Sequence, residues 1–315
     1  MATVITAASI AVPQSAGVPA TSVRLAGQAA RDALAGAGLS PGSVGVLINA
    51  GVYRESNTFE PALAAMVQKE AGINLDYLAD PLPSAGFSFD LMNGACGVLN
   101  AVQLAQSLLS NGSTDRVLVT AADVHPGGRA ADDPAYPYAD LGGALLLESS
   151  VEPDAGFGPV HLRSGPGPTG TTGYLDTGGM GTGGRRMITV EQDTDRAVRL
   201  LDLAAATAGE YAEEHGLDLA RTMVVCSRPA PDFAERLAAR LGADPASVLA
   251  PAAPGSGPDG PDGPDGSGEP HTAAPVLGYL SALESGLLDG YEQLLFVAAG
   301  AGPSAACVSY RPQGR

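Results

Sequence analysis

Tryptophan is missing from these 315 residues, Lys69 is the one lysine, and only three cysteines and four histidines occur. Three thiols cannot form a disulfide framework, and no pair has the C-x-x-C spacing of a zinc or redox site. His125, His161, His215 and His271 are scattered without H-x-H or H-x-x-x-H grouping, so the sequence supports neither a metal site nor any other bound cofactor. Basic charge is scarce too: 17 Lys+Arg stand against 34 Asp+Glu, a formal charge of -17. That balance opposes electrostatic capture of DNA, RNA or an anionic membrane. Long apolar runs are also lacking. The longest, 142–147 and 294–302, are strand-sized and far short of the ~20 residues that a membrane helix needs. The first residues have neither the basic nor the apolar region of a signal peptide. The expectation is a soluble cytoplasmic protein with no nucleic-acid or membrane partner.

What is abundant is apolar or small. Hydrophobic residues make up 45% of the chain, enough for about two domains or one large domain with a duplicated core. The β-branched stretch 4–12 reads as a strand, 22–37 as a helix, 43–50 as a buried strand and 61–71 as a helix. An alternating strand over 87–92, a helix over 96–109 and strands over 116–121 and 142–148 complete this half. The second half repeats the rhythm with helix 201–215, strand 222–226, helices 231–241 and 271–286, and strands 293–299 and 305–310. Such alternation predicts an α/β fold with sheets covered by helices. Ser107-Leu-Leu-Ser-Asn-Gly112 before the strand at Arg116 resembles Ser281-Ala-Leu-Glu-Ser-Gly286 before the strand at Gln293, which reads as an internal duplication. It makes the helix starts at Cys96 and His271 pseudo-equivalent, so that a two-fold axis brings a thiol beside an imidazole. Two segments break the pattern, the Gly/Thr/Pro-rich 164–186 and the stretch 251–270 with three Pro-Asp-Gly units. Both read as turn-rich loops without a packed core; the second is either a surface insertion or a mobile flap leading into His271.

The segment Phe87-Ser-Phe-Asp-Leu-Met-Asn-Gly-Ala-Cys96-Gly97 is a strand, a tight turn of small residues and the start of a helix. A thiol at a helix start meets unpaired N–H groups and the positive dipole end, which is expected to lower its pKa. Gly94 and Gly97 allow backbone amides to approach a substrate oxygen. On this local pattern alone a free cysteine is more often a small core residue than a nucleophile. Cys226 and Cys307, within predicted strands, read as small apolar residues.

Asp90–Asn100 resembles the nucleophile motif of the β-ketoacyl-acyl-carrier-protein synthase III group of the thiolase superfamily, with one glycine shifted by a position. Val117-Leu-Val-Thr-Ala-Ala-Asp123, Tyr138-Ala-Asp-Leu-Gly-Gly-Ala-Leu-Leu-Leu-Glu148 and Leu294-Leu-Phe-Val-Ala-Ala-Gly-Ala-Gly302 are similar to its later motifs, in the same order along nearly the whole chain. The resemblance implies a thiolase-like duplicated α-β-α-β-α layered fold. Its N-terminal half, 1–163, carries the nucleophile, a Gly/Thr-rich connecting region spans 164–200, and a C-terminal half, 201–315, carries the histidine and the glycine-rich turn. It further implies that Cys96 accepts an acyl group, with the Cys96 amide and the Ala301/Gly302 turn as oxyanion hole. His271 falls where the family has an asparagine, and Ser227 where it has its other catalytic histidine. The donor is then an acyl-CoA or acyl-carrier-protein thioester, and the family's dimers imply a homodimer paired through the strand over 87–92.

Losing one of two enolate-stabilising donors costs decarboxylative condensation roughly 10²- to 10³-fold. Simple acyl transfer needs only a thiolate, an oxyanion hole and one base. The sequence therefore points to an acyltransferase of secondary metabolism that passes an acyl group from Cys96 to a small-molecule or carrier-bound nucleophile, with His271 as base. Two alternatives stay open: a true condensing enzyme with Ser227 or a water in the lost histidine's place, and a non-catalytic partner subunit. The family's Trp- and Arg-bearing coenzyme A grip has no counterpart, which tilts the donor towards a carrier protein. Arg185, Arg186, Arg196 and Arg199 are candidates for a docking patch or simply solvated charges. His125 is expected in a loop, His161 and His215 as structural or solvated, and Glu60 either near the pocket or at a helix start.

Overall fold

The computed structural model describes residues 2–13, 20–55, 61–74, 86–127, 136–152, 154–175, 178, 188–254, 268–300 and 302–314. Its first sheet has the order β1-β5-β4-β2-β3, formed by Ala2–Ala11 (β1), Val46–Asn49 (β2), Phe87–Asp90 (β3), Arg116–Asp123 (β4) and Leu141–Ser150 (β5). Helices Ser22–Gly36 (α1), Leu63–Ala71 (α2) and Gly97–Ser110 (α3) connect them. The second sheet runs β11-β10-β12-β13-β6, from Gly156–Phe157 (β6), Thr222–Cys226 (β10), Val248–Leu249 (β11), Gln293–Gly300 (β12) and Ser304–Arg311 (β13), with His161–Ser164 (β7) also pairing β13. Its helices are Arg196–His215 (α4), Phe233–Leu241 (α5) and Ala274–Glu284 (α6).

Strand for strand the two sheets match. In the first, β2 pairs in parallel with β3 and β4, while β5 pairs antiparallel with β4 and β1. In the second, β10 pairs in parallel with β11 and β12, while β13 pairs antiparallel with β12 and with β6 and β7. This is the expected duplication.

Strand alternation builds the layers. Along β4, Val117, Val119 and Ala121 enter one apolar cluster and Leu118 and Ala122 another. Along β12, Leu294, Phe296 and Ala298 share the first cluster with β4, while Leu295, Val297 and Ala299 turn to a third. The shared cluster also holds Val98 and Leu99 of α3 and Val276 and Tyr279 of α6, so these two helices form a central layer between the sheets. Helices α1 and α2 cover the outer face of the first sheet, and α4 and α5 that of the second. A helix buried on all sides must be apolar all round, and Ala274-Pro-Val-Leu-Gly-Tyr279 of α6 is buried at every position.

The connecting region departs from a simple loop. Residues 156–164 already pair with the second sheet, and Thr171–Leu175 (β8) forms a two-stranded ladder with Ile188–Gln192 (β9). Helix α4 starts at Arg196, earlier than the apolar pattern from 201 suggests. These strands are short, and the one clear alternation, Ile188 and Val190 of β9, covers a single repeat, so periodicity gave little signal for them.

Candidate active site

Two similar turns enter the two central helices. A single 3-10 turn, Gly94–Cys96, leads into α3, and another, His271–Ala273, leads into α6. Each begins with a residue in the left-handed region, Gly94 at φ 50° and His271 at φ 43°. The matched positions are therefore Gly94 with His271 and Cys96 with Ala273, a shift of two residues from the pairing expected between Cys96 and His271. The turns pack against each other and the first also packs on β12. At the end of β12 a Cβ on Gly300 would lie 3.3 Å from the Ala95 nitrogen and 3.4 Å from that of Cys96. A side chain there would press on the turn before α3, which would have to give by a few tenths of an ångström.

Cys96 is 0% exposed. Its Sγ lies 3.6 Å from the Ala298 carbonyl, 3.7 Å from the Ser304 carbonyl and 3.8 Å from the Ser304 Oγ. Burial pushes the thiol up to about 11, against smaller opposing effects of the Ser304 side chain and the Ala306 backbone. The lowered pKa expected at a helix start is thus overturned, because desolvation of the thiolate outweighs the helix end. The Cys96 amide donates to the Asn93 carbonyl at 3.0 Å. Gly302 is half-buried and its carbonyl accepts from the Ser304 amide at 2.6 Å; Ala301 lies outside the described residues.

His271 is held on three sides. Its Nδ1 faces Asp123 Oδ2 at 3.0 Å, with both side chains buried. Tyr138 stacks on its ring at 4.0 Å between centroids, and Tyr53 lies tilted at 5.7 Å. Nε2, on the other edge of the ring, is buried and has no hydrogen-bond partner among the described residues. The alternation that turns Val119 and Ala121 inwards also brings Asp123, the last residue of β4, to the central layer. Its Oδ1 accepts from the Val52 and Tyr53 amides at 2.9 and 2.7 Å, and its Oδ2 accepts from the Thr272 amide at 3.3 Å and from the Thr272 hydroxyl. Burial pushes the Asp123 carboxyl up, but the facing imidazole and these donors together hold it below the ordinary carboxylate value.

Behind Tyr138 lies a second buried pair. Arg196 Nη1 and Nη2 meet the two Glu269 oxygens at 3.3 and 3.2 Å, and the Ala139 amide donates to the Glu269 carbonyl at 3.1 Å. Arg196 is therefore neither solvated nor available as a docking charge. Arg199 is bound to Asp193 and Asp195 at the surface, and Arg185, Arg186 and Glu60 lie outside the described residues, as does most of 251–270.

Ser227 prolongs the edge of β10. Its amide donates to the Val297 carbonyl at 3.0 Å and its hydroxyl oxygen accepts from the Ala299 amide at 2.9 Å. His125 lies in the loop just past β4, as expected, and is buried there with its ring edge-on to Tyr136 at 4.7 Å. His161 lies 3.8 Å from Glu214, and His215 packs on Tyr211 at the end of α4. Cys226 and Cys307 are buried in their strands.

The sequence reading thus found both turns and missed what anchors the second: Asp123, Thr272, Tyr53, Tyr138 and the Arg196–Glu269 pair. A carboxylate closing an otherwise apolar strand was the available signal for Asp123, since such a group is buried only with partners.

No family model matches the chain. It is 31% identical over 180 residues to the β-ketoacyl-[acyl-carrier-protein] synthase III of Brucella suis, a match covering 51% of each protein. The corresponding enzyme of Rhizobium johnstonii is 32% identical over 180 residues, again 51% of each. The chain spans about half the length of the curated relatives it matches. Solved structures agree over its whole length. Xanthomonas campestris OleA superposes with a TM-score of 0.77 at 15% identity, covering 99% of this chain and 98% of that one. The 3-oxoacyl-(acyl carrier protein) synthase III, FabH, of Pseudomonas aeruginosa gives 0.77 at 18% identity over the same shares. The chain is thus similar to β-ketoacyl-[acyl-carrier-protein] synthase III enzymes along about half of its length and shares a thiolase-like fold with the solved structures throughout.

Proposed function

We propose that the protein is an acyltransferase: Cys96 takes an acyl group from a coenzyme A or carrier-protein thioester and passes it to a small-molecule or carrier-bound nucleophile in secondary metabolism. The observation that carries this reading is His271, a buried imidazole with one nitrogen on a carboxylate and the other unpartnered, on a turn packed against that of Cys96. Such a ring can accept a proton from an incoming H–X acceptor. Condensation is the second reading: the Ser227 oxygen accepts from the Ala299 amide, which leaves its hydroxyl proton as a single donor where the family's histidine would stand. The oxyanion donors in this reading are the Cys96 amide, once released from Asn93, and the turn at Ala301 and Gly302. We place a second copy along the open edge of β3, beside Phe87, 52% exposed, and Met92, 62% exposed.

Incubation with acetyl-CoA or an acetylated carrier protein, followed by intact mass and peptide mapping, is expected to show one acetyl group on Cys96. Added malonyl donor should release no carbon dioxide; release with a β-keto product would establish condensation instead. One observation favours a different reading: a thiol with no exposed surface and a pKa near 11 suits a non-catalytic partner subunit. Unchanged product formation by Cys96→Ala would establish that reading and end the catalytic ones.

A further inference from the structure

The histidine's surroundings say which nitrogen does the work. Asp123 comes from the first half of the molecule and His271 from the second, 148 residues apart, and they meet in the central layer. All the contacts made by Asp123 are ones that an ionised carboxylate accepts: two amides at Oδ1, and at Oδ2 the Thr272 amide, the Thr272 hydroxyl and the ring nitrogen Nδ1. A carboxylate so placed accepts a hydrogen bond from Nδ1–H, which keeps the ring proton there and leaves the lone pair on Nε2. Tyr138, stacked at 4.0 Å, fixes the plane of the ring. The backbone of His271 is itself in the left-handed region, at φ 43°, a conformation that costs free energy and persists where surrounding contacts enforce it. The other ionisable groups packed about the ring are Tyr53 and Tyr138, with Glu269 and Arg196 behind Tyr138 and paired to each other.

We infer that Asp123 and Thr272 are positioning residues that lock His271 as the Nδ1–H tautomer, making Nε2 the proton acceptor for acyl transfer to an H–X nucleophile, an alcohol, amine or water. This rests on the reading of Cys96 as the acylated residue. In the step, X attacks the carbonyl carbon of acyl-Cys96 while its proton goes to Nε2. The C–S bond then breaks, the acyl group leaves bound to X, and sulfur takes the proton back from Nε2. An asparagine at this position donates a hydrogen bond and takes no proton, so the Asp123–His271 pair gives the site a base.

The test has two arms. In the first, ¹⁵N-labelled parent protein is followed by NMR, with His271→Gln assigning the ring signals. The neutral ring is expected to carry its proton on Nδ1; a proton on Nε2 overturns the inference whether or not Cys96 is ever acylated. In the second, the acetyl-enzyme is formed to completion with acetyl-CoA, freed of donor and left with water as acceptor while its decay is followed by intact mass. Asp123→Asn is expected to keep the acetyl group on Cys96 but to slow its loss about 10²- to 10⁴-fold, the usual contribution of a general base. Decay at the parent rate overturns the inference and leaves the acyl-enzyme intact as a finding. Failure of the parent to become acetylated ends the acyltransferase reading, and the tautomer then decides this inference alone. Should Asp123→Asn not fold, Thr272→Val, which keeps the carboxylate and removes one donor to it, is expected to fold, lose only the stability of that one buried hydrogen bond and slow decay; parent-like decay again overturns the inference.

Discussion

The turns before α3 and α6 have one backbone shape and two chemistries. In the first, the left-handed position holds Gly94 and the thiol comes two residues later, at Cys96; in the second, it holds His271 itself and the residue two places on is Ala273. Glycine takes that conformation freely, whereas a side chain there costs about 1–2 kcal/mol. The first turn is therefore relaxed and held by apolar packing, Cys96 belonging to the central cluster. The second is held by charge, through Asp123 on one side and through Glu269, two residues before the histidine, on the other. Duplication supplied the same loop twice, and the contacts around each copy decide what it can carry.

Breaking the charged support should have the largest effect. Arg196→Met strands a buried Glu269 carboxylate and is expected to cost about 3–5 kcal/mol in urea denaturation. The double replacement with Glu269→Gln should recover most of that loss, and a single replacement that costs nothing would show that the second turn does not depend on the pair. The next effect belongs to the first turn. With a thiol near 11, only about 10⁻⁴ of Cys96 is thiolate at pH 7. Iodoacetamide labelling followed by peptide mapping should accelerate about tenfold per pH unit from 7 to 10 without a plateau. A plateau below pH 8 would mean that the helix start dominates after all. Smaller still is the backbone term. Gly94→Ala should cost about 1–2 kcal/mol. His271→Asn should be about 1 kcal/mol more stable than His271→Ala, since asparagine tolerates the left-handed region and still donates to Asp123. Equal stability of that pair would remove strain from the comparison.

Much of the fold was legible because the layers repeat along the chain. Alternation in Val117–Asp123 and in Leu294–Gly300 announces strands with two buried faces, and the matched returns at Arg116 and Gln293 announce the duplication. Cys96 and His271 were legible as chemistry at helix starts. Their register was not, because a two-residue offset depends on φ values that side-chain patterns do not report. Asp123 was quoted within a strand motif without a role, since a partner 148 residues away is invisible to spacing. Arg196 read as surface charge because it sits among Asp193, Asp195 and Arg199, which are surface charges. The thiol was misjudged for a similar reason: the helix start is a local feature, whereas the desolvation that outweighs it comes from β12 and β13, some 200 residues further on.

A carboxylate from one half gripping an imidazole from the other makes the site a latch across the pseudo-two-fold seam. In the proposed acyltransferase reading, neither half alone positions the base among the described residues, so slight parting of the two would silence proton transfer while each sheet was still hydrogen-bonded. Activity should then fade on warming before secondary structure does. In that reading, stiffening the seam, instead of either core, is the route to activity that survives warming.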